Sequence, residues 1–324
     1  MSDAQHDHDE GDGDLSSRLG LGLAAIGRPA YITVGRDGDL GAGSERSIEA
    51  MRDRAHGLLE AAWWLGIRYI DVARSYGLAE QFLGSWLATN PARRDELTIG
   101  SKWGYDYVGE WRMDAPTQER KEHSLAMFER QWPETQEALG TDPDVYFVHS
   151  LTADSPVLTD EALLDRLRTL AESGVRVGFS TSGPEQGAVI DAALALPDSP
   201  FTAVECTWNL LEQSAAPALE RANEARWLVV VKEVLANGRL SAEGGGEPDA
   251  SALAARDEQP LEGLAIGAAV AHPWADIVLS GAVTRKQLRV NLEAKAPAVS
   301  EERLEALAEP PEQYWAERAA RPWA

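Results

Sequence analysis

The sequence holds a single cysteine, Cys206, in 324 residues, so no disulfide can form within the chain. A reducing cytoplasm is therefore the expected setting. No run reaches the roughly 18 apolar residues of a helical membrane span, and no apolar stretch reads as a signal peptide. Positive charge is scarce: 30 Lys and Arg stand against 53 Asp and Glu, for a formal net charge of −23. A surface that negative repels phosphate backbones and anionic lipids, so neither nucleic acid nor a membrane is an expected partner. No metal site is expected either, because the remaining histidines are scattered. His6 and His8 lie in the opening MSDAQHDHDEGDGD, residues 1–14, which lacks large apolar side chains and reads as a disordered acidic tail. Neither a nucleophile elbow nor a phosphate-binding glycine loop is visible.

Hydrophobic residues make up 44% of the chain, enough for a sizeable core. They gather into eight short runs that read as strands, at 20–25, 67–71, 97–101, 144–148, 175–180, 202–206, 227–232 and 275–279. Several are apolar without alternation, as in VYFV at 145–148 and WLVVV at 227–231, which is the pattern of parallel strands buried on both faces. Helical patterns fill the gaps at 45–65, 78–89, 119–139, 159–172, 184–195, 214–224, 260–271, 284–294 and 300–318. Thr159 is expected to cap the fourth of these, and Gly66 to end the first. Eight βα alternations predict a (β/α)8 TIM barrel with extended rim loops at 103–118 and 236–259 and a C-terminal helix. Residues 15–324 are expected to form this single catalytic domain.

Barrels of this kind carry their chemistry where the strands end. Asp71 and Tyr76 follow the second run, Lys102 the third and His149 the fourth. A phenol with a pKa near 10 is a poor acid at neutral pH, but a neighbouring ammonium favours the phenolate. Lys102 is expected to supply that charge, Asp71 to hold Lys102, and His149 to orient a carbonyl oxygen beside Tyr76. The chemistry implied is addition of hydride to C=O. No side chain carries hydride, so a nicotinamide cofactor is required.

At this point the residues resemble a known family. YIDVARSYGLAEQFLG resembles the DTAxxYGxSE segment of the aldo–keto reductases, LTIGSKWG their strand ending in a catalytic Lys, and DVYFVHS their DLYLLH segment. GVRVGFSTS, VECTWNLL and VLSGAVTRKQLRVNLEA match three further segments in order, so the resemblance covers about residues 19–294. It implies a catalytic tetrad of Asp71, Tyr76, Lys102 and His149, and NADPH bound across the rim, with NADH as the alternative. The cofactor contacts it implies are Ser180, Thr181, Glu205, Trp208, Lys232, Gly238, Leu240, Gly281, Ala282, Thr284, Arg285, Gln287 and Asn291. Ser180 would hold the carboxamide, and Trp208 would stack on the nicotinamide where the family usually has Tyr. Several positions depart from the pattern: Val72 and Ala79 in the first segment, Thr181 for Asn, Glu205 for Gln, Lys232-Glu233 for a Tyr-Ser or Tyr-Thr pair, Ser280 for Pro and Gln287 for a frequent Arg.

Three cations and no acid in TRKQLR, 284–289, at a helix start favour a 2′-phosphate and hence NADPH. The aromatics Trp103, Tyr105 and Trp111 are expected to line the substrate pocket. The functional expectation is a carbonyl reductase. An NAD(P)-dependent sugar or aldose dehydrogenase and a non-catalytic cofactor-binding regulatory protein are the alternatives.

Overall fold

The computed structural model describes residues 15–32, 36–41, 43–321 and 323; the expected acidic tail at 1–14 lies outside them. Eight parallel strands close a barrel: β1 (Leu19–Gly22), β2 (Tyr69–Asp71), β3 (Thr98–Trp103), β6 (Val145–Leu151), β7 (Arg176–Thr181), β8 (Phe201–Thr207), β9 (Leu228–Lys232) and β10 (Ile277–Ser280). Two further strands, β4 (Tyr105–Tyr107) and β5 (Glu119–Lys121), form an antiparallel ribbon on the rim. All eight apolar runs thus become barrel strands, in the order the sequence predicts.

Around the barrel stand α2 (Ile48–Trp64), after a short α1 (Arg36–Leu40), then α3 (Ala79–Thr89), α4 (Leu125–Leu139), α5 (Glu161–Glu172), α6 (Gln186–Leu194) and α7 (Ala216–Glu224). They are followed by α8 (Pro248–Arg256), α9 (Leu261–Ala271), α10 (Arg285–Leu292), α11 (Glu301–Glu305) and α12 (Pro311–Ala319). Four boundaries differ from expectation. The helix expected from 119 starts at Leu125, because 119–121 pairs into the ribbon and Ser124 caps the helix by accepting from Met127 N. The cap of α5 is Asp160, not Thr159; its carboxylate accepts from Leu163 N, while the Thr159 hydroxyl donates to Pro156 O. The segment 236–259 is not all loop, since α8 forms in it with Pro248 at its first turn. The pattern at 300–318 breaks into two helices ahead of Pro311.

Strand side chains alternate in direction, and here the alternation divides the labour. Tyr69, Val145, Phe147, Ala203, Val230 and Leu279 form a small cluster of their own inside the barrel. The larger core packs between strands and helices. Continuing the inward set by steps of two reaches Asp71, Lys102, His149, Ser180, Glu205 and Lys232. The register agrees, with Lys102 beside Phe147, Ser180 beside Glu205 and Asp71 beside Gly100. Among the described residues no helix is long and apolar enough to cross a membrane.

Candidate active site

Tyr76 stands on the turn between β2 and α3, and glycines set that turn. Gly77 has φ +61, and a Cβ on it would overlap Gly27 O and come within 2.8 Å of Arg28 Cβ. The Leu78 amide donates to Gly27 O at 2.8 Å. The β1 and β2 loops therefore interlock backbone to backbone. Gly77→Ala combines a left-handed backbone with overpacking and should cost about 2–3 kcal/mol. Thermal melting measures that loss, and turnover should fall with it because the same turn carries the phenol.

Behind the turn, Arg74 pairs with Glu80 at 2.5 Å and Glu134 at 3.0 Å. Glu80 also accepts from Ser101 at 2.6 Å and Thr135 at 2.9 Å. This buried network fastens the turn to β3 and α4.

Lys102 is fully buried, and its ammonium bonds to Asp71. A second carboxylate, Glu205, lies 3.1 Å away on the same ammonium. Burial, then the Glu205 charge, pushes the Asp71 carboxyl up to about 8 against the pull of Lys102. Burial works against the ammonium, but Asp71 and Glu205 together hold Lys102 above its ordinary value. Lys102 lies 5.0 Å from the Tyr76 ring centre. The expected lowering of the phenol is not found: burial, followed by the Asp71 and Glu205 charges, holds Tyr76 well above its usual value. Burial is the main cause, and two carboxylates, not one, engage the charge that Lys102 was expected to lend to Tyr76.

His149 packs edge-on to Tyr76, with ring centres 5.5 Å apart, and tilts against Tyr105 at 4.9 Å. Its Nδ1 lies 3.3 Å from Ser75 Oγ. Burial first, then Lys102, Lys232 and Arg28, keeps the imidazole neutral, with a pKa well below the ordinary value. A buried hydroxyl places its proton on an acceptor. With Ser75 donating to Nδ1, Nε2–H is left for a ligand.

A cavity of about 670 Å³ extends from this cluster across the rim to α10. Its lining includes Asp71, Tyr76, His149, Glu205, Lys232 and Tyr105, and at the other end Gly238, Gly281, Ala282, Thr284, Gln287 and Asn291. Other expected contacts lie elsewhere. Ser180 is fully buried and its hydroxyl accepts from Ser150 N at 2.7 Å. Thr181 donates to Gln186 behind the strand. Trp208 turns out of the cavity, its ring packed on His272 at 4.6 Å and Trp274 at 6.0 Å. Leu240 is buried in the core. Arg285 lies over α2, donating to Gly57 O at 3.1 Å.

The expected aromatic wall is also corrected. Trp103 is buried against Phe128, and Trp111 donates its indole N–H to Arg46 O; of the three only Tyr105 lines the cavity. The wall near Tyr76 mixes charged and aromatic groups. Arg28 pairs with Glu119 at 2.6 Å, and Arg318 of α12 donates from Nε to Glu233 at 2.8 Å. Burial opposes Glu233, but Arg318 and Lys232 hold its carboxyl at about 2. Trp323 and Tyr31 complete the wall, with Arg28 over both rings. Arg28 and Tyr31 follow the first strand, so the strand-end rule could have reached them. Nothing local marks Arg318 or Trp323. Among the described residues no group of three or more His, Cys, Asp or Glu could hold a metal ion.

Comparison with known proteins agrees with this architecture. The sequence profile of the Aldo/keto reductase family matches residues 39–309. A D-threo-aldose 1-dehydrogenase from a Pseudomonas species is 31% identical over 191 residues, covering 51% of this chain and 54% of that protein. The match thus spans about half the length of that relative. The holo form of the aldo-keto reductase AKR11C1 from Bacillus halodurans superposes with a TM-score of 0.67 at 24% identity, over 92% of this chain and 95% of that one. PA4992 of Pseudomonas aeruginosa, a putative aldo-keto reductase, does so with a TM-score of 0.61 at 23% identity, over 86% and 90%. At those identities the two structures speak for the fold.

Proposed function

The chain belongs to the aldo/keto reductase family, and from that premise we propose that it is a nicotinamide-dependent oxidoreductase interconverting C=O and CH–OH groups. The observation that carries this reading is the meeting of Tyr76, His149, Lys102 and Asp71 at one end of a long rim cavity. The lining suits a dinucleotide. One end holds the Tyr76 phenol and the His149 imidazole, and the other runs past Gly238, Gly281 and Lys286 at the start of α10. A nicotinamide, when bound, supplies or takes the hydride that no side chain can carry.

The chain's own residues do the rest. Tyr76 gives its proton to the oxygen as a carbonyl is reduced and removes it as an alcohol is oxidised. Neutral His149 donates Nε2–H to the same oxygen and fixes it beside the phenol. Lys102 holds positive charge behind Tyr76, and Asp71 and Glu205 hold Lys102 in place. Tyr76 is only 7% exposed, so water has little access to the reacting oxygen.

The wall favours the dehydrogenase reading of the substrate. Two ion pairs, Arg28–Glu119 and Arg318–Glu233, offer donors and acceptors to several hydroxyl groups, beside the aromatic faces of Tyr31, Tyr105 and Trp323 on which a sugar ring can stack. A polyhydroxylated aldehyde or aldose suits such a wall, in keeping with the aldose 1-dehydrogenase relative. Residues 15–324 are read as one catalytic domain, 1–14 as an appended acidic tail, and the cytoplasm as the location.

Rates in both directions over aldoses and hydrophobic aldehydes of matched size, followed by nicotinamide absorbance, test the proposal. The expected result is kcat/KM at least about tenfold higher for the aldoses, the value of one good hydrogen bond or more. Turnover of neither class would overturn the oxidoreductase reading. Equal or better rates on the hydrophobic aldehydes would overturn the polar substrate alone.

A further inference from the structure

The α10 end of the cavity is built differently from what its sequence suggests. TRKQLR carries three cations, yet only Lys286 lines the cavity. Arg285 is bonded to the Gly57 carbonyl on α2, and Arg289 lies outside the lining. Gln287 is engaged too. Its Oε1 accepts from Val283 N at 3.0 Å and Thr284 N at 3.2 Å, and its Nε2 donates to Asp39 at 2.7 Å, with Glu243 at 3.5 Å. Thr284 Oγ1 in turn accepts from Gln287 N. The chain's own capping box thus engages three of the amides at the start of α10, those of Val283, Thr284 and Gln287. Among the described residues, three carboxylates, Asp39, Glu243 and Glu262, line this end against the one ammonium of Lys286.

A 2′-phosphate brings close to two negative charges at neutral pH. Beside Asp39 and Glu243 it meets like charge and finds one cation. A ribose 2′,3′-diol brings hydroxyl donors, and carboxylates are acceptors only. The same choice operates in other dinucleotide sites, where an acid binds the 2′-hydroxyl and an Arg accommodates the phosphate.

We propose that Asp39 and Glu243 select the unphosphorylated dinucleotide, so that the protein uses NAD(H) rather than NADP(H). The inference rests on the nicotinamide reading of the cavity and reverses the preference expected from TRKQLR.

Dissociation constants for NAD⁺ and NADP⁺, measured by calorimetry at low ionic strength on the full chain, test it without recourse to turnover. The expected result is NAD⁺ tighter by at least about tenfold. Asp39→Asn/Glu243→Gln should narrow that ratio at least about tenfold, chiefly by strengthening NADP⁺. The single variant Glu243→Gln, at a solvent-facing loop position, should narrow it in the same sense if the double variant does not fold. NADP⁺ binding as tightly as NAD⁺ to the unaltered protein would overturn the proposal, and so would a ratio that neither variant moves. Binding of neither nucleotide would overturn the nicotinamide reading itself, and the proposal with it.

Discussion

Replacing Tyr76 with Phe should abolish turnover, by about a thousandfold or more, and leave dinucleotide binding within about twofold. The removed atom is one hydroxyl oxygen, so the packing of the ring on His149 and its position 5.0 Å from Lys102 remain. What goes is the hydroxyl beside His149 that the proposed mechanism uses to exchange a proton with the substrate oxygen, and general acid–base catalysis contributes about 10²–10⁴ in rate. His149 cannot take over, because burial and the nearby cations keep it neutral. Calorimetric binding of the nucleotide beside a stopped assay separates the two effects. A Phe variant that keeps its rate on any turned-over substrate would remove Tyr76 from the mechanism.

The second large effect falls on stability. Lys102→Met strips the ammonium from between Asp71 and Glu205, both buried, and leaves two carboxylates facing each other. Breaking a buried ion pair from one side costs about 3–5 kcal/mol. The cost should depend on pH in a definite direction. The Asp71 carboxyl is raised to about 8 in the folded protein, against an unfolded value of about 3.9. A raised folded pKa contributes stability that is fully present below about pH 4 and is lost as pH rises through 8. Lys102→Met raises the Asp71 carboxyl further, so its melting temperature should approach that of the unaltered protein near pH 5 and fall far below it at pH 9. Glu205→Gln removes the neighbour that raises Asp71 and should gain stability over the unaltered protein between the same limits. Melting curves for the three proteins at pH 5, 7 and 9 decide it; parallel curves would mean that the triad does not hold the charges described.

The barrel was legible because burial on both faces leaves runs such as VYFV that few other folds require. The tetrad positions were legible because strand ends are countable. Three of the misplaced residues share a cause in strand geometry. Trp103, Thr181 and Trp208 each follow an inward residue, Lys102, Ser180 and Thr207, so the period of two turns each of them outward into the shell between strands and helices. A stricter use of that period on the sequence alone would have moved all three. Arg285 and Gln287 are a different matter. Their direction is set by Gly57 and Asp39, more than 200 residues away in the chain, and no local pattern reveals it. The second carboxylate on Lys102 falls between the two. Glu205 is inward by period, but its contact with Lys102 depends on closure of the barrel across non-adjacent strands.

The division of each strand into inward and outward residues has a consequence for how such a protein can change. The outward residues of β3, β6, β7 and β8 hold the helical shell, and the inward ones at the strand ends face the rim cavity, so neighbouring positions answer to separate demands. An exchange such as Glu for Gln at 205 alters charge at the reacting centre without touching a single helix contact. The rim can therefore be re-addressed one strand at a time while the shell stays as it is. Here that freedom is open at Glu205, the second acid on Lys102, on a barrel whose backbone superposes on a solved aldo-keto reductase over most of its length.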